Sequence, residues 1–332
     1  LELSASQVDT QEDCRLQYFL KYGLRAKERK AAEVDPAEFG TYVHAVLEQT
    51  GRAVMDRGGF HGVSLEDTLA LARGFADAYA RERFRDMDSQ RLTYLFQRNN
   101  RELDMIVEEL WKELNAAAFQ PVGFEVAFGK GGQMPAIAIP NSAMPAVLRG
   151  FVDRVDLWED TTGRFLRVTD YKTGQKKFDY CDISQGIGLQ MLLYLFALGH
   201  GGRELFGEGL RPGGVEYFPA RAPYLKADAP LDPAEAAEER VKAFSRSGLF
   251  LEDRRVLGAM EPETLGERLP VVEKKDGSLT GSLATSEQFR LLEGYVFHLL
   301  ADMVSEIASG SVSPNPYSRG TAHDACRFCP YA

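Results

Sequence analysis

Up to residue 120 the apolar positions recur every three or four residues, the period of a helix with one buried face. Ser4 or Ser6 caps the first predicted helix, which carries Val8, Leu16, Phe19 and Leu20 and includes Cys14. A second begins after Pro36, whose fixed φ suits a first turn, and lines Phe39, Val43, Val46, Leu47 and Val54 along one side. Two more, over 64–85 and 90–118, are amphipathic with Arg and Glu on their outer faces.

From Pro121 the pattern changes to short β-branched segments bounded by Gly and Pro. It predicts strands over 123–128, 136–139, 147–157 and 164–172, a helix over 184–198, and a strand over 214–218. Residues 219–282 are rich in Pro, Ala and charge and read as one or two short helices in long loops. A final helix over 284–308 sets Phe289, Leu292, Val296, Leu299, Leu300, Met303 and Ile307 on one face. Helices on both sides of a run of strands predict an α/β fold, a mixed central sheet flanked by helices after an N-terminal helical region.

Composition narrows the class. The 332 residues, 44% hydrophobic and 27% charged, are ordinary for a globular chain, and no apolar run is long enough to span a membrane, so a soluble protein is expected. The formal charge of -10 argues against a uniformly basic surface for nucleic acid. Four cysteines are too few for a disulfide scaffold and predict a reducing, cytoplasmic setting. The chain opens at Leu1 and closes three residues after Cys329, which suggests a piece of a longer protein. No Gly-x-x-x-x-Gly-Lys-Ser/Thr loop is present, so ATP hydrolysis is not expected of it.

The chemistry centres on the strand ending in Asp170-Tyr171-Lys172-Thr173-Gly174. Alternate strand residues share a face, so Leu166, Val168, Asp170 and Lys172 point one way, and the carboxylate and ammonium emerge together. The preceding strand, joined through a turn from Glu159 to Gly163, brings Asp153 beside Asp170. Two carboxylates and a lysine at one sheet end suit phosphodiester hydrolysis: the carboxylates hold a cation such as Mg²⁺, and the lysine meets the water or the developing charge. A surface ion pair at a hairpin is the plain alternative. His44, one turn after Gly40, reads either as a core histidine or as a further metal ligand. Glu125 is a carboxylate flanked by Phe124 and Val126. Gln190 and Tyr194, four apart on a helix, either orient the lysine or a DNA backbone or edge a packed face.

In order, Gly40-x-x-x-His44, Glu125, Gly150-x-x-Asp153-Arg154-x-Asp156, Asp170-x-Lys172-Thr173-Gly174 and Gln190-x-x-x-Tyr194 resemble the motif series of the RecB-like branch of the PD-(D/E)xK nucleases. The resemblance implies a restriction-endonuclease-like core. It also implies Mg²⁺ or Mn²⁺ held by His44, Asp153, Asp170 and the Tyr171 carbonyl, with Lys172 as base or charge stabiliser and Glu125, Gln190 and Tyr194 in support. One nuclease domain would span 1–332: a helical part at 1–120, a catalytic core at 121–218, an insert at 219–283, and a helix and tail at 284–332.

The two ends, around Cys14 and around Cys326-x-x-Cys329, resemble those of AddB-type nuclease domains of helicase–nucleases. That likeness implies a C-terminal cysteine clasp in which Cys14, Cys326 and Cys329 hold a [4Fe-4S] cluster whose fourth ligand lies past Ala332. It also implies single-stranded DNA as substrate, delivered by a helicase during double-strand-break repair, and an AddA-like partner subunit. Cys181 lies outside the pattern and reads as structural, and the Cys-x-x-Cys pair alone would also suit zinc. A free-standing RecB-like exonuclease of the CRISPR-associated kind and a catalytically silent DNA-binding scaffold are the competing expectations. Lys172, Lys176 and Lys177 form a local basic cluster despite the overall negative charge.

Overall fold

The computed structural model describes residues 1–26, 36–83, 90–221 and 232–331. Helix α1 (Ala5–Asp13) opens with a capping box: the Ser4 hydroxyl accepts from the Gln7 N–H, and the Gln7 side chain accepts from the Ser4 N–H. It stops at Cys14, which is extended and separates α1 from a short helical turn at Arg15–Tyr18. Cys14 therefore lies in a break and not within a helix as the periodicity suggested. The C-terminal tail explains the break, because the Asp13 carbonyl accepts the Tyr317 N–H at 2.8 Å in place of a helical partner.

Helices α2 (Pro36–Met55), α3 (Leu65–Arg83) and α4 (Gln90–Ala116) form the helical layer. The last two positions of the helix expected over 64–85 lie outside the described residues. The central sheet has six strands, β1 (Gln120–Phe128), β2 (Gly150–Asp160), β3 (Gly163–Lys172), β4 (Leu210–Pro219), β5 (Ser247–Leu251) and β6 (Leu283–Ala284), ordered β6-β5-β4-β3-β2-β1. β3–β4 and β5–β6 pair in parallel and the rest are antiparallel, so the sheet is mixed as expected. β3 reaches its parallel neighbour through helix α5 (Gln190–Gly201), the crossover such a pair needs. Helix α6 (Ser286–Ala308) follows β6.

Besides β4, which starts at Leu210 and not at Gly214, three departures from the sequence pattern shape the sheet. The strand expected over 147–157 splits: Val147–Leu148 joins Glu2–Leu3 and Ile137–Ala138 in a separate small sheet, and β2 starts at Gly150. A side chain at Gly150 would fall 2.9 Å from the Phe128 and Tyr194 rings, while the Arg149 N–H is drawn to the Leu3 carbonyl. Helix α5 begins at Gln190 and not at Ser184, because Gly186 and Gly188 adopt left-handed φ values of 78° and 71°. The stretch 219–283, read as an insert of loops and short helices, supplies β5, which pairs directly with β4.

Each sheet face has its own core. Leu166, Val168 and Val215 pack with Leu192, Phe196 and Phe289 from α5 and α6 on one face. Tyr171 and Phe218 pack with Val43, Leu47, Ile106 and Leu110 of the helical layer on the other. Where α2 crosses β1, Gly51 leaves the room the contact needs: a Cβ there would lie 2.3 Å from the buried Phe124 ring. Gly51→Ala is expected to cost about 1–3 kcal/mol through overpacking, more than the roughly 1 kcal/mol that alanine returns in a helix. A lowered midpoint in urea unfolding would show it. Among the described residues, no helix is long and apolar enough to cross a membrane.

Candidate metal and catalytic site

The site gathers where β1, β2 and β3 lie side by side under the first half of α2. The registers Phe124–Arg154 and Val126–Val152 set Glu125 opposite Asp153, and the Arg154–Thr169 pair sets Asp153 next to Asp170. His44 comes down from α2. Its Nδ1 lies 3.3 Å from Asp153 Oδ2 and its Nε2 lies 2.7 Å from the Tyr171 carbonyl. The Tyr171 N–H donates to Asp153 Oδ2 at 2.8 Å, so Tyr171 fixes the histidine and the aspartate through its backbone, while its ring meets the imidazole edge-on. Gly40, one turn before His44, passes close to Thr173 after the strand's end.

His44, Glu125 and Asp153 each offer a ligand atom within 4.8 Å of the others, a spacing that could hold a metal ion. Asp170, expected as a third ligand with His44 and Asp153, is beside this group but turned away from it. Its carboxylate meets Lys172 Nζ at 2.6 Å and accepts from Gln190 Nε2 at 2.9 Å. Gln190 also accepts from Lys172 at 3.3 Å and lies 3.3 Å from the Tyr194 hydroxyl. The eight site residues read from sequence thus form two adjoining sets. One is His44, Glu125, Asp153 and the Tyr171 carbonyl; the other is Asp170, Lys172, Gln190 and Tyr194.

Charge is held here under tension. Burial, and then the neighbouring Asp170 carboxylate, push Asp153 up to about 8. Burial, then Asp153 and Glu48, push Glu125 up to about 7. Glu125 also has φ 47°, a left-handed conformation uncommon for a non-glycine and found where function constrains the backbone. Burial raises the Tyr194 phenol well above its usual range, and its oxygen accepts from Gln190 Nε2. One imidazole and two carboxylates that resist ionisation in each other's company are a donor set that fits a divalent cation, whose charge would relieve the repulsion.

The raised acids have a consequence for the metal-free protein. Folded Asp153 keeps its proton up to about pH 8, whereas the unfolded chain releases it near the ordinary 3.8. Stability therefore falls as pH rises between those values, and Glu125 adds the same sign up to about 7. Melting temperatures in EDTA are expected to drop from pH 5 to pH 9, and Asp153→Asn to flatten most of the slope.

Sequence reasoning missed a second charged centre behind the first. Arg154 and Arg167 are fully buried and bind Glu113 of α4 at 3.0 and 2.8 Å, with Asp156 at 2.9 and 2.7 Å. Glu216 of β4 and Arg246 complete the cluster. Burial works against ionising Glu113, yet Arg167, Arg246 and Arg154 hold it far below its ordinary value. Glu113, Asp156 and Glu216 have ligand spacing too, but their charge is already matched by guanidiniums, so this is a structural centre. The signal was available: Asp156 and Arg167 are opposite charges at interior positions of adjacent strands, and they prove to be directly paired in register. Arg154 reaches the Tyr171 hydroxyl at 3.3 Å, linking this centre to the site.

The chain ends meet, through polar contacts. Asp13 pairs with His323 at 2.7 Å, Arg15 with Glu306 at 2.6 Å, and the Tyr331 hydroxyl donates to the Ala26 carbonyl at 2.7 Å. All four cysteines are free thiols. Burial, then Asp324, Cys329 and Cys14, raise the Cys326 thiol, which puts Cys14, Cys326 and Cys329 in one neighbourhood. Among the described residues, however, no three thiols have ligand spacing, and a [4Fe-4S] cluster takes four.

Comparison with known proteins agrees with this geometry. Residues 2–332 match the model of the PD-(D/E)XK nuclease superfamily. Proteins named as a subunit of an ATP-dependent helicase/deoxyribonuclease are similar along essentially the whole chain. The one from Acetivibrio thermocellus is 33% identical over 99% of this chain and 29% of its own length. That from Clostridium novyi is 34% identical over 100% of this chain and 30% of its own, and that from Moorella thermoacetica 33% over 100% and 29%. The chain thus spans under a third of the length of these curated relatives.

Proposed function

The chain belongs to the PD-(D/E)XK nuclease superfamily, and from that premise we propose that it is a divalent-metal-dependent deoxyribonuclease domain that cuts single-stranded DNA within a helicase–nuclease. The observation that carries this reading is the meeting of His44, Glu125 and Asp153 with the Asp170–Lys172–Gln190 set at one end of the sheet. His44, Asp153, Glu125, Asp170 and the Tyr171 carbonyl would hold Mg²⁺ or Mn²⁺. The cation would neutralise the scissile phosphate and lower the pKa of a water.

The protein groups do the rest. The Lys172 ammonium, only partly exposed and paired with Asp170, stands ready to contact a phosphate oxygen or an attacking water. Gln190 fixes that lysine and Asp170 from the first turn of α5, and Tyr194 holds Gln190 in turn. Asp153 keeps its carboxylate aimed at His44 through the Tyr171 N–H.

The relatives, named for a helicase and deoxyribonuclease, support a helicase–nuclease setting; an AddA-like partner and a place in recombination repair in the cytoplasm are part of the same proposal. The intact Asp153, Asp170 and Lys172 set weighs against a silent scaffold. End-labelled single-stranded oligonucleotide incubated with Mg²⁺ or Mn²⁺ tests the proposal. Cleavage with metal and none with EDTA supports it; no cleavage under any divalent metal, with DNA still bound, favours the scaffold.

A further inference from the structure

Phe151 is 59% exposed on β2, where the strand is paired with β1 alone, because the ladder to β3 starts only at Arg154. Its ring thus lies open at the end of the sheet that carries the site. Val152, its neighbour, is fully buried in the core beneath α5, so Phe151 points to the opposite side; Asp153 follows two residues on, where the alternation breaks, since Val155 returns to that same core and Arg154 turns to Glu113. The register pairs Phe151 with Ala127, two residues past Glu125, and Gly150 and Gly129 flank the pair. The ring therefore stands one strand repeat, roughly 7 Å, from Asp153, with Arg149 the same distance along the chain on its other side and the Glu125 and Asp153 carboxylates next in line.

A lone exposed phenylalanine is ordinary on a protein surface. This one borders the acids proposed to hold the cation that neutralises the scissile phosphate. From this placement we infer that Phe151 is a base-stacking platform for the nucleotide adjoining that phosphate, an inference that rests on the nuclease reading above. A paired, stacked base hides its faces, whereas an unpaired one can lay its π-face on the ring. Stacking is tolerant of sequence because every base has such a face. The platform thus makes the site select single strands over duplex while reading no sequence, and it acts on substrate binding without touching the reacting atoms.

The test combines binding and turnover in the intact chain. A single-stranded oligonucleotide carrying 2-aminopurine is titrated with Ca²⁺ present, and cleavage kinetics are followed with Mg²⁺. Phe151→Ala is expected to weaken binding and raise KM by roughly 5- to 150-fold with kcat little changed. It should also abolish the fluorescence change of a 2-aminopurine placed next to the cut, and Phe151→Trp should restore both. An abasic nucleotide at that position should penalise the wild type and leave Phe151→Ala unaffected. Unchanged affinity and an unchanged 2-aminopurine signal in Phe151→Ala would overturn the platform. If the wild type binds but never cleaves, the nuclease reading fails, and the fluorescence titration still decides the stacking on its own.

Discussion

Replacing Lys172 by alanine is expected to lower single-strand cleavage by about 10²- to 10⁴-fold, the range over which a positioned proton-transfer or charge-stabilising group acts. The fold should survive, because Lys172 lies at the end of β3 and its ammonium is partly exposed. Asp170→Ala should fall at least as far. It removes the carboxylate that anchors both Lys172 and Gln190, and it also takes away a charge that stands beside Asp153. The two losses should be far from additive, since the residues act as one unit. Single-turnover rates at saturating Mg²⁺, with circular dichroism confirming the fold, separate catalysis from unfolding. Full activity in either variant would remove this set from the chemistry.

The second large effect is on stability. Arg167→Met deletes a fully buried guanidinium that lies 2.8 Å from Glu113, 2.7 Å from Asp156 and 3.6 Å from Glu216, leaving three buried carboxylates short of a countercharge. Breaking a buried pair from one side costs about 3–5 kcal/mol. Against a domain stability of about 5–15 kcal/mol, that removes a third or more of a mid-range total and brings a domain at the lower end close to unfolding. Arg167→Lys keeps the charge but not the planar fork and should recover only part of the loss. Urea unfolding reads both. A midpoint within error of the wild type for Arg167→Met would show that the network is not holding the sheet to α4.

What could be read from the sequence was the chemistry that depends on short spacing. Asp170 and Lys172 sit two apart on a strand and His44 one turn after a glycine on a helix, and those local geometries survive folding. What could not be read depends on long-range partners. The break at Cys14 exists because the tail's Tyr317 takes the Asp13 carbonyl, a bond spanning the whole chain. β5 is short and lies in a stretch rich in turn-formers, so its pattern carries little period, and only pairing with β4 and β6 makes it a strand. The turning of Asp170 toward Gln190 follows from where α5 begins, which two left-handed glycines decide. The arginine network was hidden by the habit of assigning charge to the surface.

The central claim is that His44, Glu125 and Asp153 form a metal site next to Lys172. Anomalous diffraction from crystals grown with Mn²⁺ tests it most directly. A manganese peak bound by the Asp153 carboxylate and by His44 or Glu125 is expected, lost in Asp153→Asn. Manganese absent from that position at saturating concentration, with His44 still resting on Asp153 and the Tyr171 carbonyl, would contradict it.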